Sequence, residues 1–140
     1  MHEWKSQVRG YEVDSGGGIN AATYLNYMEE ARKHFLAGFG FDLMAMFKRD
    51  LGFVVSRYQI DYLWSLIGGD EFVVETAMER ISRLQVEFTQ HIYRLPDRKP
   101  VVKCKNLGLA INVSKNRPVW PPELDELLKD FPIRGETDRT

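Results

Sequence analysis

A chain of 140 residues has room for one domain and little more, because two independent cores need more chain than this. Its residues are 44% hydrophobic and 28% charged, with a mean hydropathy of −0.36, which excludes a disordered chain. Nineteen basic and twenty acidic side chains leave a formal charge of −1, against the basic excess that a dedicated nucleic-acid binder carries. The single cysteine, Cys104, has no internal partner, and without a CxxC or a Cys/His cluster no zinc site is expected. The reducing cytoplasm is the expected compartment. Met1 to Lys5 is charged and lacks a signal peptide's apolar stretch. No run approaches the roughly 20 apolar residues of a membrane span.

Trp4 to Val13 alternates loosely and reads as a strand entering the loop Asp14-Ser15-Gly16-Gly17-Gly18. Asn20 is placed to cap a helix over Ala21 to Ala37. On that helix Tyr24, Met28, Ala31 and Phe35 share one stripe, while Asn26, Glu30 and Lys33 take the other side. Gly38 and Gly40 stop it, and a shorter turn is expected over Asp42 to Lys48. Four strands follow, at Phe53 to Leu63, Phe72 to Arg80, Leu84 to Arg94 and Val101 to Val113. The first should set Val54, Tyr58, Ile60 and Tyr62 on one face, and the last should align Leu107, Leu109 and Ile111. Asn116-Arg117-Pro118 breaks the last strand. A helical turn is expected over Pro121 to Lys129 and a loose tail over residues 134–140.

Short links such as Gly68-Gly69-Asp70 and Ser82-Arg83 join antiparallel neighbours, whereas parallel strands need long crossovers. The expected class is therefore α+β, with one long helix against a five-stranded antiparallel sheet in a single domain, residues 1–133. One helix covers one face of such a sheet. The remaining face or an edge is most simply buried against a second copy.

The loop from Asp14 to Ala21 carries the chemistry. Its glycines let a ligand approach the backbone, and the helix start presents unpaired N–H groups and partial positive charge to an anion or oxyanion. A carboxylate beside them suits acyl transfer, as nucleophile or as general base for water. Asp14 and the glycines are also ordinary turn formers, and the residues alone leave both readings open. No Gly-Lys-Ser/Thr follows, so this is not a phosphate loop.

The stretch Val8 to Leu25, with Asp14, Gly17, Ile19 and Tyr24 at their relative spacing and Glu29 and Ala31-Arg32 after it, resembles the 4-hydroxybenzoyl-CoA thioesterase family. Gly52 to Val55 with Tyr58, Ile60 to Leu63 with Gly69-Asp70-Glu71, and Asn116-Arg117-Pro118 with Pro121 to Leu124 extend the resemblance over about Val8 to Leu128. It implies a hotdog fold, a sheet wrapped around the long helix, assembled as a homodimer or homotetramer. The implied reaction is hydrolysis of an acyl thioester without metal or other cofactor. Asp14 falls on the family's catalytic carboxylate, and Ala21 where a backbone N–H polarises the thioester carbonyl. Gly17, Gly18, Tyr24, Val55 and Arg57 fall on substrate-contacting positions. Asn20 resembles the asparagine of plant-type acyl-carrier-protein thioesterases and is equally an N-cap.

The resemblance leaves three functions open: an acyl-CoA thioesterase, an acyl-carrier-protein thioesterase, or an acyl-binding protein without turnover. Leu63 to Ile67 departs from the family, where Arg and Pro are usual, so one contact to a charged carrier is missing. Basic residues crowd Arg94 to Arg117, and Lys103 and Lys105 are candidates for a carrier's phosphate; edge lysines that discourage aggregation have the same pattern. Glu29 and Glu30 read as solvated or ion-paired helix residues. His34 and His91 lack a Ser or Cys partner for a triad, and Cys104 reads as a small buried hydrophobe.

Overall fold

The computed structural model describes residues 1–129 and 131. Strand β1 is His2–Gln7, α1 is Ala21–Ala37 and α2 is Leu43–Lys48. Strands β2 (Leu51–Tyr62), β3 (Glu71–Arg80), β4 (Val86–Leu95) and β5 (Lys99–Asn112) follow, then β6 (Arg117–Pro118) and α3 (Pro122–Leu128). The sheet order is β1-β3-β4-β5-β2, with β6 paired to β5. β1 runs antiparallel to β3, and β6 to β5. This is the α+β arrangement expected from the sequence, with one short strand more. No helix among the described residues is long and apolar enough to cross a membrane. The tail at residues 134–140 lies outside the described residues.

Two compact units divide the chain. The first holds residues 1–35, 59–77 and 89–104, and the second holds the rest. In the first unit Tyr24, Tyr27, Met28 and Ala31 of α1 are buried with Phe72 and Val74 of β3, Ile92 of β4, and Val101, Val102 and Cys104 of β5. The helix covers the sheet through this stripe because residues three and four apart share a face. A polar group crosses the same core. Gln90 Nε2 donates to the Met28 carbonyl (3.0 Å) and to Thr76 Oγ1 (3.1 Å), and its Oε1 accepts from Arg32 (3.1 Å). On the same helix His34 is exposed, and its ring pairs with His2 of β1 (2.9 Å). Burial above all, and then His34, lower the His2 pKa.

Expectation and structure differ at two places, the end of β1 and the fate of Arg117-Pro118. β1 ends at Gln7 rather than running on to Val13, because residues 10–12 coil into a 3-10 turn, with Glu12 Oε1 accepting from the Arg9 N–H (2.9 Å). On β5, Leu107, Leu109 and Ile111 align on one face as expected; that face is partly exposed, and Val102, Cys104, Asn106, Gly108 and Ala110 form the buried one. Arg117-Pro118 does not simply end the sheet but folds back onto Ile111 and Asn112.

The second unit gathers Leu36, Phe41, Phe53, Phe88, Leu124 and Leu128 around a small apolar space. Phe53 lies over Gly108, where a Cβ would stand 2.3 Å from its ring. Gly108→Ala should therefore destabilise the fold by about 1–3 kcal/mol through overpacking. Urea unfolding measures it, and pairing it with Phe53→Leu should recover part of the loss.

Candidate active site

The loop that carries Asp14 closes on itself. Asp14 N–H donates to the Gly18 carbonyl (2.8 Å), and Gly17 N–H donates to the Asp14 carbonyl (3.0 Å). The Asp14 carboxylate accepts from Gly16 N–H (2.9 Å) and is exposed. Gly17 has φ +87°, a conformation that side chains resist, so the turn depends on glycine there. Val13 bridges Ile19, and Gly18 bridges Ile67, which anchors the loop to the segment preceding β3. Upstream, Glu12 also accepts from the Tyr27 hydroxyl (3.0 Å), tying the 3-10 turn to α1. Burial and the neighbouring Glu12 carboxylate push the Tyr27 pKa far up, so its hydroxyl remains a donor.

At the start of α1 the caps are allotted residue by residue. Asn20 Oδ1 accepts from Ala22 N–H (2.8 Å), and the Asn20 carbonyl accepts from Thr23 N–H (2.9 Å). Asn20 is therefore the N-cap, as one of its two sequence readings had it. Ala21 N–H meets no acceptor among the described residues.

Ala21 and Tyr24 line a cleft of about 760 Å³ in the first unit, together with Ile19 from the loop. Tyr62, Trp64 and Ile67, from the end of β2 and the segment after it, line another part, and Asp70 and Arg94 supply its charges. Tyr24 is buried, and its hydroxyl accepts from Leu66 N–H (2.9 Å). Burial raises its pKa against the opposing hydrogen bonds from Leu66 and Ser65, so it stays protonated. Asp70 is committed in part, accepting from Ile67 N–H (2.9 Å). Arg94 forms a two-bond pair with Asp97.

The sequence-predicted residues thus separate. Ala21 and Tyr24 stand in the cleft wall. Asp14, Gly17 and Gly18 form the adjoining loop and reach the cleft's border through Ile19 and the Gly18–Ile67 bridge. Val55 and Arg57 on β2, and Lys105 on β5, belong to the second unit and are not gathered with them. Lys103 is exposed on β5 and is not a wall of the cleft; its charge instead acts on His91, which also contacts Tyr93 (3.3 Å). Trp64, Asp70 and Arg94 were not singled out as site residues. Their signals in the sequence are indirect: Arg94 heads the basic run, Asp70 stands in Gly69-Asp70-Glu71, and Trp64 lies in the Leu63–Ile67 segment.

A model of the thioesterase-like superfamily matches residues 8–128. The chloroplastic acyl-acyl carrier protein thioesterase ATL3 of Arabidopsis thaliana is 31% identical over 122 residues, 87% of this chain and 64% of that protein. The chain thus spans just under two thirds of the length of that curated relative. The acyl-CoA thioester hydrolase YbgC of Escherichia coli is 25% identical over 66% of this chain and 69% of its own length. In fold, the chain is similar to a crystal structure of a 1,4-dihydroxy-2-naphthoyl-CoA thioesterase from Synechocystis. That likeness has a TM-score of 0.83 over 91% of this chain and 95% of that one, at 15% identity.

Tyr24→Phe tests the cleft wall without emptying it. It leaves the buried Leu66 N–H without this acceptor, and it should cost about 1–3 kcal/mol in chemical unfolding.

Proposed function

Since the chain belongs to the thioesterase-like superfamily, we propose that it is a thioester hydrolase acting on an acyl-CoA or an acyl-carrier-protein thioester. The observation that carries this reading is the Ala21 N–H at the cleft wall, uncapped while Asn20 takes the next two amides. A thioester carbonyl placed there meets a hydrogen-bond donor at the positive end of a 17-residue helix. Asp14, seven residues earlier in a loop held by its own backbone bonds, supplies the carboxylate. As nucleophile it adds to the carbonyl carbon, expels the thiolate and leaves a mixed anhydride for water to cleave. As general base it takes a proton from the water that attacks directly. Both routes yield the free acid and the thiol, and neither calls for a cofactor. The apolar walls at Ile19, Tyr24 and Ile67 suit the acyl group.

The carrier is acyl-CoA in the first reading. ATL3, named for an acyl-carrier-protein substrate, favours the second. An acyl-binding protein without turnover is the third. Asp14→Asn should lower kcat on a panel of acyl thioesters by at least about a hundredfold, the scale of a positioned acid–base group. An unchanged kcat would remove the carboxylate role, and the same acyl group offered on both carriers separates the first two readings.

The working form in this proposal is a homodimer or a dimer of dimers. β2 ends the strand order, and Val54, Tyr58 and Tyr62 on its one face are 38%, 37% and 49% exposed. A 12-residue edge with such side chains invites pairing with a second copy. The double variant Val54→Lys, Tyr58→Lys should shift the sedimenting species to monomer, and an unaltered assembly would place the interface elsewhere. The buried, unbridged Cys104 suits a reducing compartment such as the cytoplasm.

A further inference from the structure

The loop that carries Asp14 is held from outside by one turn, residues 67–70, which lies between the cleft segment and β3. Gly18, whose carbonyl accepts the Asp14 N–H, bridges Ile67 at the head of that turn. Beside Ile67, Gly68 packs so closely on Val13 that a Cβ there would stand 3.1 Å from a valine methyl. The turn thus meets the loop on both sides of Asp14, at the residue before it and at its own hydrogen-bond partner. Where the turn sits, the carboxylate follows.

Asp70 closes the turn. Its carboxylate accepts from the Ile67 N–H (2.9 Å), and its own N–H donates to the Ile67 carbonyl (3.1 Å). Gly69 between them takes φ +87°, the left-handed conformation that lets so short a turn close. Both ends are anchored. Leu66, which is buried, donates its N–H to the Tyr24 hydroxyl (2.9 Å). At the other end buried Val8 donates to the Asp70 carbonyl (2.9 Å) and accepts from Gly69 N–H (3.1 Å), while Gln7 Nε2 donates to the Gly69 carbonyl (3.0 Å). Ile67 itself is 57% exposed. Burial therefore does little to fix it, and the bond from Asp70 counts for correspondingly more, the stronger because its acceptor is charged. The cleft's other charge, Arg94, is engaged by Asp97. No ion pair among the described residues draws the Asp70 carboxylate away from Ile67.

We propose that Asp70 is the positioning residue for Asp14. By holding the Ile67 amide it fixes the turn, and through Val13 and Gly18 the turn sets where the Asp14 carboxylate stands. The catalytic value of that placement rests on the thioesterase reading; the mechanical link from Asp70 to the loop does not.

The test therefore starts from the loop and needs no turnover. Amide hydrogen exchange of the full chain, read by NMR, should show the Asp14 and Gly17 amides exchanging about tenfold faster in Asp70→Ala, the scale of one lost hydrogen bond. Amides in the middle of α1 should keep their rates. Asp70→Asn, whose side-chain oxygen still accepts the Ile67 bond, should recover most of what alanine loses. Gly68→Ala, which crowds Val13, should loosen the same two amides from the other side. In turnover, Asp70→Ala should lower kcat about tenfold on an acyl thioester that the wild type hydrolyses, with KM little changed, as misplacement of a reacting group does. Unaltered loop exchange in Asp70→Ala would overturn the proposal, as would faster exchange throughout α1, which would make Asp70 a support of the whole fold. A rise in KM without loss of kcat would make Asp70 a substrate contact, and an Asn variant as impaired as the Ala one would make its charge the active property; either overturns the positioning role. Loop amides freed in Asp70→Ala, together with an Asp14→Asn enzyme of undiminished kcat, would uphold the link and refute only the role of Asp14.

Discussion

Burial of one face of α1 is the constraint on which the first unit depends. Tyr24, Tyr27, Met28, Ala31 and Phe35 are all at most 7% exposed, and the larger of them contribute roughly 1.5–3 kcal/mol each by leaving water. Because the stripe begins at Tyr24, less than one turn of helix remains ahead of it. Ala21, the first residue of the helix, therefore stands where the buried face gives way to the cleft. The preceding chain must then turn back within a few residues, which explains three consecutive glycines and the φ of +87° at Gly17.

Local patterns were legible in the sequence where one physical rule dominates. α1 runs over the span its cap, stripe and terminal glycines indicate, Ala21–Ala37. The four long strands lie within a few residues of where alternation puts them, and Val86, Phe88 and Ile92 share the buried face of β4 as alternation requires. On β5 alternation sets which residues share a face but not which face is buried, because both carry apolar side chains. Leu107, Leu109 and Ile111 outweigh Cys104, Gly108 and Ala110 in hydrophobicity, yet the smaller residues face inward. Phe53 shows why at one position, since its ring occupies the space above Gly108 that a larger residue would need. Close approach, not hydrophobicity, selected the face. The cleft was less legible than the fold because its walls come from segments distant in sequence. Ala21, Trp64 and Arg94 meet through pairing register, which no local spacing encodes. Asp14 and Ala21 are candidates from the sequence because they sit on one short motif.

Charge follows the same division between total and arrangement. A formal charge of −1 describes no particular place on the molecule. Arg98 reaches across to Glu3 and Glu75, and Arg94 to Asp97, so two of the seven cations of the basic run are paired with acids from β1, β3 and its own turn. Exposed pairs of this kind contribute little to stability. They do set the local field, because each one removes a cation from competition for a ligand. The basic density read from Arg94 to Arg117 thus overstates the free charge at the cleft, where Arg94 alone of that run is a wall and is paired with Asp97.

The buried polar group at Gln90 links fold to chemistry. A wholly apolar helix–sheet contact tolerates sliding, because dispersion and burial are nearly indifferent to small shifts along the axis. Gln90 removes that freedom. Its amide must donate to the Met28 carbonyl and to Thr76 Oγ1 while accepting from Arg32, and a slip of α1 would break these bonds away from water, where their loss is costly. Met28 lies two turns beyond Ala21, and a helix is stiff over that length. A bond at Met28 therefore sets the axial position of the Ala21 amide as well. If the Ala21 amide serves as the proposed oxyanion donor, it must be placed to within about 1 Å, a tolerance that hydrophobic packing alone does not enforce. On this argument the polar core residue is retained for register, and the cleft inherits its geometry from a hydrogen bond two helical turns away.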